Sequence, residues 1–164
     1  MPFAPRRFAL SIAAASIVSM IGFSSASFAQ SGPFSGLDGA WNGTGTVTLA
    51  DGNSERIRCR ASYKVAGGGG ALQQTLRCAS DSYKFDLSSD VTTSGNSVTG
   101  NWSEASRGVS GQITGTATQG QINVLVQAAG FAANLQVATK GNKQSVSMTS
   151  KGEIKSVNIT MSKG

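Results

Sequence analysis

From Leu37 onward, apolar side chains and glycines fall at alternate positions, and the spacing of an amphipathic helix never takes over. A period of two is that of a half-buried strand, whose successive side chains point to opposite faces. Ten segments carry it: 41–49, 57–65, 72–78, 83–91, 98–102, 109–117, 122–128, 131–137, 146–148 and 157–161. Between them stand turn formers such as Asp51-Gly52-Asn53, the run Gly67 to Gly70, Ser80-Asp81, Ser94-Gly95, Gln119-Gly120, Ala129-Gly130, Gly141-Asn142 and Gly152-Glu153. Ten short strands joined by short turns predict an all-β antiparallel meander.

The hairpin registers are testable on paper, because a one-residue slip would turn a buried face to solvent. A turn at Ala129-Gly130 sets Val126 opposite Ala133, Val124 opposite Leu135 and Ile122 opposite Val137. A turn at Gly152-Glu153 sets Met148 opposite Val157 and Val146 opposite Ile159. Apolar meets apolar at each pair. A meander of this length has two exposed edges, and pairing its last strand with its first removes both. The expectation is therefore an up-and-down barrel of about ten strands, preferred to a two-sheet sandwich.

The N-terminus reads differently. Arg6 and Arg7 precede an apolar run from Phe8 to Phe23, and small residues follow at Ser27 and Ala29. That is the pattern of a cleaved secretory signal over 1–29. The run is short of the ~20 residues a spanning helix needs, so no transmembrane segment is expected after cleavage. A flexible leader over 30–36 and one barrel domain over 37–164 would remain. Two of the fourteen basic residues lie in the signal, leaving twelve against eight acidic ones, a net +4. Such a mild charge on a surface rich in Ser, Thr, Asn and Gln does not fit a dedicated nucleic-acid binder. Export to the periplasm or beyond also favours pairing the chain's two cysteines. A turn at Gly68-Gly69 sets Cys59 opposite Cys78, so a cross-strand disulfide is expected, with the glycine run as its permissive turn.

Alternation alone leaves the orientation open, because a membrane barrel turns its apolar face to lipid. The segments are mostly shorter than the ~9 to 11 residues that cross a bilayer, and aromatic residues are too few for two girdles. The apolar face is therefore read as inward. Its large members include Trp41, Ile57, Tyr63, Leu72, Phe85, Trp102, Phe131, Leu135 and Met148, interspersed with Gly43, Gly45, Gly100, Gly111 and Gly115. Eight strands already enclose an interior that side chains just fill, so ten with many small inward residues leave room for an apolar cavity. The same glycines also permit the bending that a barrel needs, with the lumen simply packed. Candidate ligand contacts are Trp41, Tyr63, Gln74, Phe85, Trp102, Phe131 and Met148. The inward polar residues Tyr63, Gln74, Ser89 and Gln144 carry no charge, so no inward Arg or Lys is expected to hold a carboxylate.

The first strand opens Gly39-Ala40-Trp41-Asn42-Gly43-Thr44-Gly45. This resembles the GxWxGxG opening of the nitrobindin-like barrels and, more loosely, the GxW start of lipocalins and other calycins. The resemblance implies a ten-stranded barrel with an internal ligand and with Trp41 packed across one end. Nitrobindins hold haem iron through a histidine, and this chain has no histidine. The haem role is therefore not carried over, and neither is a histidine-based zinc site. No cofactor or metal is expected. Bacterial metalloprotease inhibitors of lipocalin-like fold offer a more distant comparison, in which the stretch from Gln30 to Ser35 would be the inhibitory segment.

Catalytic chemistry is hard to assemble here. His is absent, the cysteines are expected to be bonded, and of the carboxylates only Glu104 has inward parity, near a strand end. A non-enzyme is expected. On the outer face, turns at Gly68-Gly69 and Ser80-Asp81 would set Arg60 opposite Arg77 and Arg77 opposite Lys84, with Arg56 facing Asp81 and Thr75 facing Asp86. Like charges directly opposed invite an anionic partner such as acidic envelope lipid. The leading expectation is a secreted or periplasmic barrel that binds a hydrophobic small molecule in its lumen. The alternative is an envelope-associated interaction protein using the basic outer face through Arg60, Arg77 and Lys84.

Overall fold

The computed structural model describes residues 31–164, so the signal-like segment and Gln30 lie outside the described residues. Ten antiparallel strands follow in chain order: β1 (Gly39–Leu49), β2 (Ser54–Ala66), β3 (Ala71–Ala79), β4 (Lys84–Ser94), β5 (Ser97–Glu104), β6 (Val109–Thr118), β7 (Gln121–Ala128), β8 (Phe131–Lys140), β9 (Lys143–Ser150) and β10 (Ile154–Lys163). Each pairs with its sequence neighbours, and β10 closes on β1 to complete the barrel. This is a calycin-like up-and-down architecture. Closure leaves no strand edge free, which is why so short a chain can carry ten strands without an aggregation-prone rim.

The registers follow the apolar pairing. Val126 faces Ala133, Val124 faces Leu135 and Ile122 faces Val137 across β7 and β8. Met148 faces Val157 and Val146 faces Ile159 across β9 and β10. Cys59 faces Cys78 across β2 and β3, and the two are bonded. Their Cα atoms lie 4.1 Å apart, the close approach of a non-hydrogen-bonded pair.

One register differs from the sequence expectation. The hairpin between β3 and β4 centres one residue later, on Asp81-Ser82, so Arg77 faces Asp86 and Lys84 faces Ala79. Ser80 causes the difference. Its N–H donates to the Tyr83 carbonyl at 2.8 Å, its Oγ accepts from the Tyr83 N–H at 2.9 Å, and the same hydroxyl donates to the Glu55 carboxylate at 2.7 Å. Ser80 and Tyr83 thus close the turn, and the two residues between them form its tip. Thr75 accordingly faces Ser88, not Asp86, and the β2–β3 ladder ends at Arg58 and Ala79, short of any pairing of Arg56 with Asp81.

Strand length also departs from expectation. The strands run from 8 to 13 residues, and six of them reach 10 or more, so length does not argue against a membrane barrel. Orientation rests instead on which face is covered. Trp41, Val47, Ile57, Val98, Ala117 and Met161 are at most 1 % exposed, whereas the outward positions of β2 carry Arg56, Arg58, Arg60, Ser62 and Lys64. The apolar side faces the interior, the inverse of a lipid-facing barrel. No helix among the described residues is long and apolar enough to cross a membrane.

The segment ahead of β1 is not a loose leader. Residues 33–36 form a turn that carries Phe34 to 0 % exposure inside one barrel end. The N–H groups of Gly32 and Phe34 donate to the carbonyls of Gly68 and Gly69, at 2.8 and 3.0 Å. Gly67, Gly68 and Gly69 all have positive φ, so the run between the cysteines forms a ledge as well as a turn. A side chain on Gly69 would collide with Ser35 and Gly32. Burial of one aromatic side chain supplies the driving force for docking, and the ledge satisfies the backbone donors.

Candidate ligand-binding site

The two barrel ends differ. At the first, Phe34 and Leu37 are buried, and Leu37 accepts a 2.8 Å hydrogen bond from the Trp41 indole N–H. Trp41 packs edge-on against Tyr63, with ring centroids 6.2 Å apart. Lys163 lies 5.9 Å from the Trp41 ring centre and donates to the Gly36 carbonyl, tying β10 to the plug. The Asp38 carboxylate accepts from the Val65 N–H, fixing the entry to β1. This end is a floor.

The opposite end has no such cover. Inward residues near it, among them Leu49, Phe85, Val109, Phe131, Met148 and Ile154, are only partly buried. Between floor and mouth lies an apolar cavity of about 420 Å³. That is within the usual range for small-molecule sites. A second cleft of about 210 Å³ lies outside the floor beside Pro33, Gly36 and Gly120, and loop residues dominate its wall.

The sequence-selected residues divide cleanly. Tyr63, Gln74, Phe85, Trp102, Phe131 and Met148 line the cavity, whereas Trp41 lies beyond its wall as part of the floor. Trp102 and Phe131 pack with centroids 5.8 Å apart, and the indole N–H of Trp102 is spent on the Gln127 carbonyl at 3.1 Å. The inward glycines sit where backbones approach closely. A side chain on Gly111 would meet the Gln127 carbonyl, and one on Gly43 would meet Thr160 and Met161. The glycines thus permit close approach of neighbouring strands, and the lumen is not simply packed, since the cavity of about 420 Å³ remains.

Polar groups inside the barrel are few and almost fully partnered. The Tyr63 hydroxyl donates to Gln144 Oε1 at 2.8 Å, and Gln144 Nε2 donates to Thr139 Oγ1 at 3.1 Å. Burial pushes the Tyr63 pKa up to about 12, the Gln144 contact offsetting part of that, so the phenol stays neutral. Ser89 donates to Gln74 Oε1 at 2.8 Å. Among the described residues, no fully buried side-chain nitrogen or oxygen lacks a partner.

Of the charged residues at the mouth, Glu104 stands inward as its parity predicts, whereas Arg107 and Glu153 are additions that strand alternation does not foresee. Glu104, 5 % exposed, accepts from the backbone N–H groups of Asp86, Ser106 and Arg107 at 2.9, 3.1 and 2.7 Å. Burial alone would raise its pKa, but these hydrogen bonds together outweigh burial and hold it below the ordinary value. Arg107 sits over the Phe85 ring at 5.1 Å, with its guanidinium 3.8 Å from Glu104. An arginine thus does reach the cavity wall, from a loop where strand parity has no say. The outer basic row is not continuous: Arg60 faces Arg77, but Arg77 is paired with Asp86 at 3.2 Å and Lys84 stands apart.

No protein-family model matches the chain, and no curated protein does. Among solved structures, Rv2717c from M. tuberculosis superposes with a TM-score of 0.63 at 14 % identity, covering 79 % of this chain and 94 % of that one. The S-type phycobiliprotein lyase CPES from Guillardia theta superposes with a TM-score of 0.57 at 8 % identity, covering 80 % and 90 %. At these identities the likeness is one of fold.

Proposed function

We propose that this chain is an exported, non-catalytic barrel that holds a hydrophobic small molecule in its lumen. The observation that carries the reading is the cavity of about 420 Å³, walled by apolar side chains and open at one end. Burying apolar ligand surface there would be favourable at roughly 25 cal/mol per Å² before the losses of association are counted. The Cys59–Cys78 bond and the signal-like N-terminus support an oxidising compartment, the periplasm or the exterior. The GxWxGxG opening, with its likeness to nitrobindin-like barrels, supports an internal ligand, and the lack of histidine turns the reading away from haem. Glu104, engaged by three backbone N–H groups, is a turn brace and a poor general base. An inhibitory role for the N-terminal stretch finds little support, since Phe34 is committed to the barrel's own floor. Native mass spectrometry of protein purified from its own host tests the reading. A co-purified apolar mass is expected, and a clean apo mass together with no uptake of Nile red would overturn it.

A second reading concerns the outer face. Arg56, Arg58, Arg60 and Lys64 occupy alternate outward positions of β2, and no Asp or Glu stands at an outward position of β1, β2 or β3. Among the described residues, Arg77 and Arg107 are the cations in ion pairs. This row, which runs along β2 two strands away from Lys84 on β4, suits contact with anionic lipid headgroups. Salt-sensitive binding to phosphatidylglycerol vesicles, lost when Arg56, Arg58 and Arg60 are changed to Gln, is the expected result.

A further inference from the structure

The lumen wall carries one polar row in register. Tyr63 on β2 faces Gln74 on β3, Gln74 faces Ser89 on β4, and Ser89 faces Trp102 on β5. Three of these four donors are spent. The Tyr63 hydroxyl goes to Gln144, the Ser89 hydroxyl to Gln74 Oε1 and the Trp102 indole to the Gln127 carbonyl. The side-chain amide nitrogen of Gln74 makes no hydrogen bond to the described residues and keeps solvent access, since none of the fully buried side-chain nitrogens lacks a partner. Gln74 lines the cavity and is half-buried, although it stands four residues from the mouth-side Cys78, about 13 Å of strand. Its neighbours on the same face of β3 are Leu72 and Leu76, so a free donor group lies within an apolar wall.

We infer that Gln74 is a specificity residue of the lumen, selecting an elongated apolar ligand that carries one uncharged acceptor oxygen, a ketone or ester carbonyl, partway along its length. The inference rests on the lumen reading and names its ligand class. A purely hydrocarbon occupant would strip water from the Gln74 amide and leave its N–H groups unpaired, whereas a carbonyl at that depth accepts from them. Charge is disfavoured there. The cavity's charged residues, Glu104, Arg107 and Glu153, come from the mouth, and none adjoins Gln74 on the wall. Ser89 acts as a positioning residue, since its hydrogen bond occupies Oε1 and leaves the amide nitrogen as the group free to meet a ligand.

The test uses Nile red displacement by dihexyl ketone and by its methylidene analogue, in which C=CH₂ replaces C=O at nearly constant shape. The wild-type protein is expected to bind the ketone about tenfold more tightly, the usual cost of stranding one buried neutral donor. Gln74→Leu should abolish the preference by weakening the ketone and strengthening the hydrocarbon, and Gln74→Met, closer in shape, should do the same if the Leu variant folds poorly. Equal binding of the two probes by wild-type protein, or a preference that survives in both variants, would overturn the inference and leave the lumen reading standing. Failure of Nile red and both probes to bind would remove the lumen reading and this inference with it.

Discussion

Glu104 shows how a single carboxylate can be readable in parity and unreadable in role. Its inward position at the end of β5 follows from alternation, but two of its three N–H partners, those of Ser106 and Arg107, belong to a backbone that bends only once the β5–β6 turn has formed, and the third, that of Asp86, comes from β4. Arg107 was missed for the same reason, because the period of two ends where the strand ends. The Glu104 hydrogen bonds have a measurable consequence. A carboxyl whose pKa is depressed on folding stabilises the native state fully above its unfolded value, here 4.5, and that contribution is lost as pH falls through the lower folded value. Urea midpoints followed from pH 7 to pH 3 should therefore fall more steeply for wild-type protein than for Glu104→Gln. Parallel curves would mean that the hydrogen bonds do not favour the ionised form.

At the scale of elements, most of the barrel was legible because a register error is self-announcing. Moving β8 against β7 by one residue would set Leu135 outward, so only one choice keeps Val124 opposite Leu135 with both inside. The β3–β4 hairpin escaped because its outward residues are polar or alanine and a shift by two keeps every side chain on its own face. Parity cannot detect such a shift. Only the hydrogen bonds of Ser80, which depend on Glu55 reaching over from the start of β2, decide it. The β2–β3 hairpin is more strongly fixed, since the Cys59–Cys78 bond permits one register and no neighbour. With the two cysteines 19 residues apart, the cross-link should stabilise the fold by about 3 kcal/mol through loss of unfolded-state freedom. Denaturant unfolding of the Cys59→Ser, Cys78→Ser double variant should show a loss of that order. A change under ~0.5 kcal/mol would assign register control to the strand pairing alone.

For the molecule as a whole, closure was inferable from the need to remove two sheet edges, but the asymmetry between floor and mouth was not. The floor is built from residues 32–37, which have no period, docked on a glycine run that reads in sequence as a turn and nothing else. Phe34 is the decisive side chain, fully buried and in contact with the cavity it seals. Its truncation tests the architecture. Phe34→Ala removes a ring from a packed site, a change that typically costs 3–5 kcal/mol where the surroundings stay in place. The segment is short and held to the barrel by few hydrogen bonds, so part of that loss is expected as local release of the plug instead of global unfolding. The two effects separate experimentally. The urea midpoint should fall by less than full core truncation would give, while stopped-flow release of Nile red should quicken about tenfold because the lumen then opens at both ends. An unchanged release rate with a full-sized loss of stability would make Phe34 an ordinary core residue and the mouth the sole route of exchange.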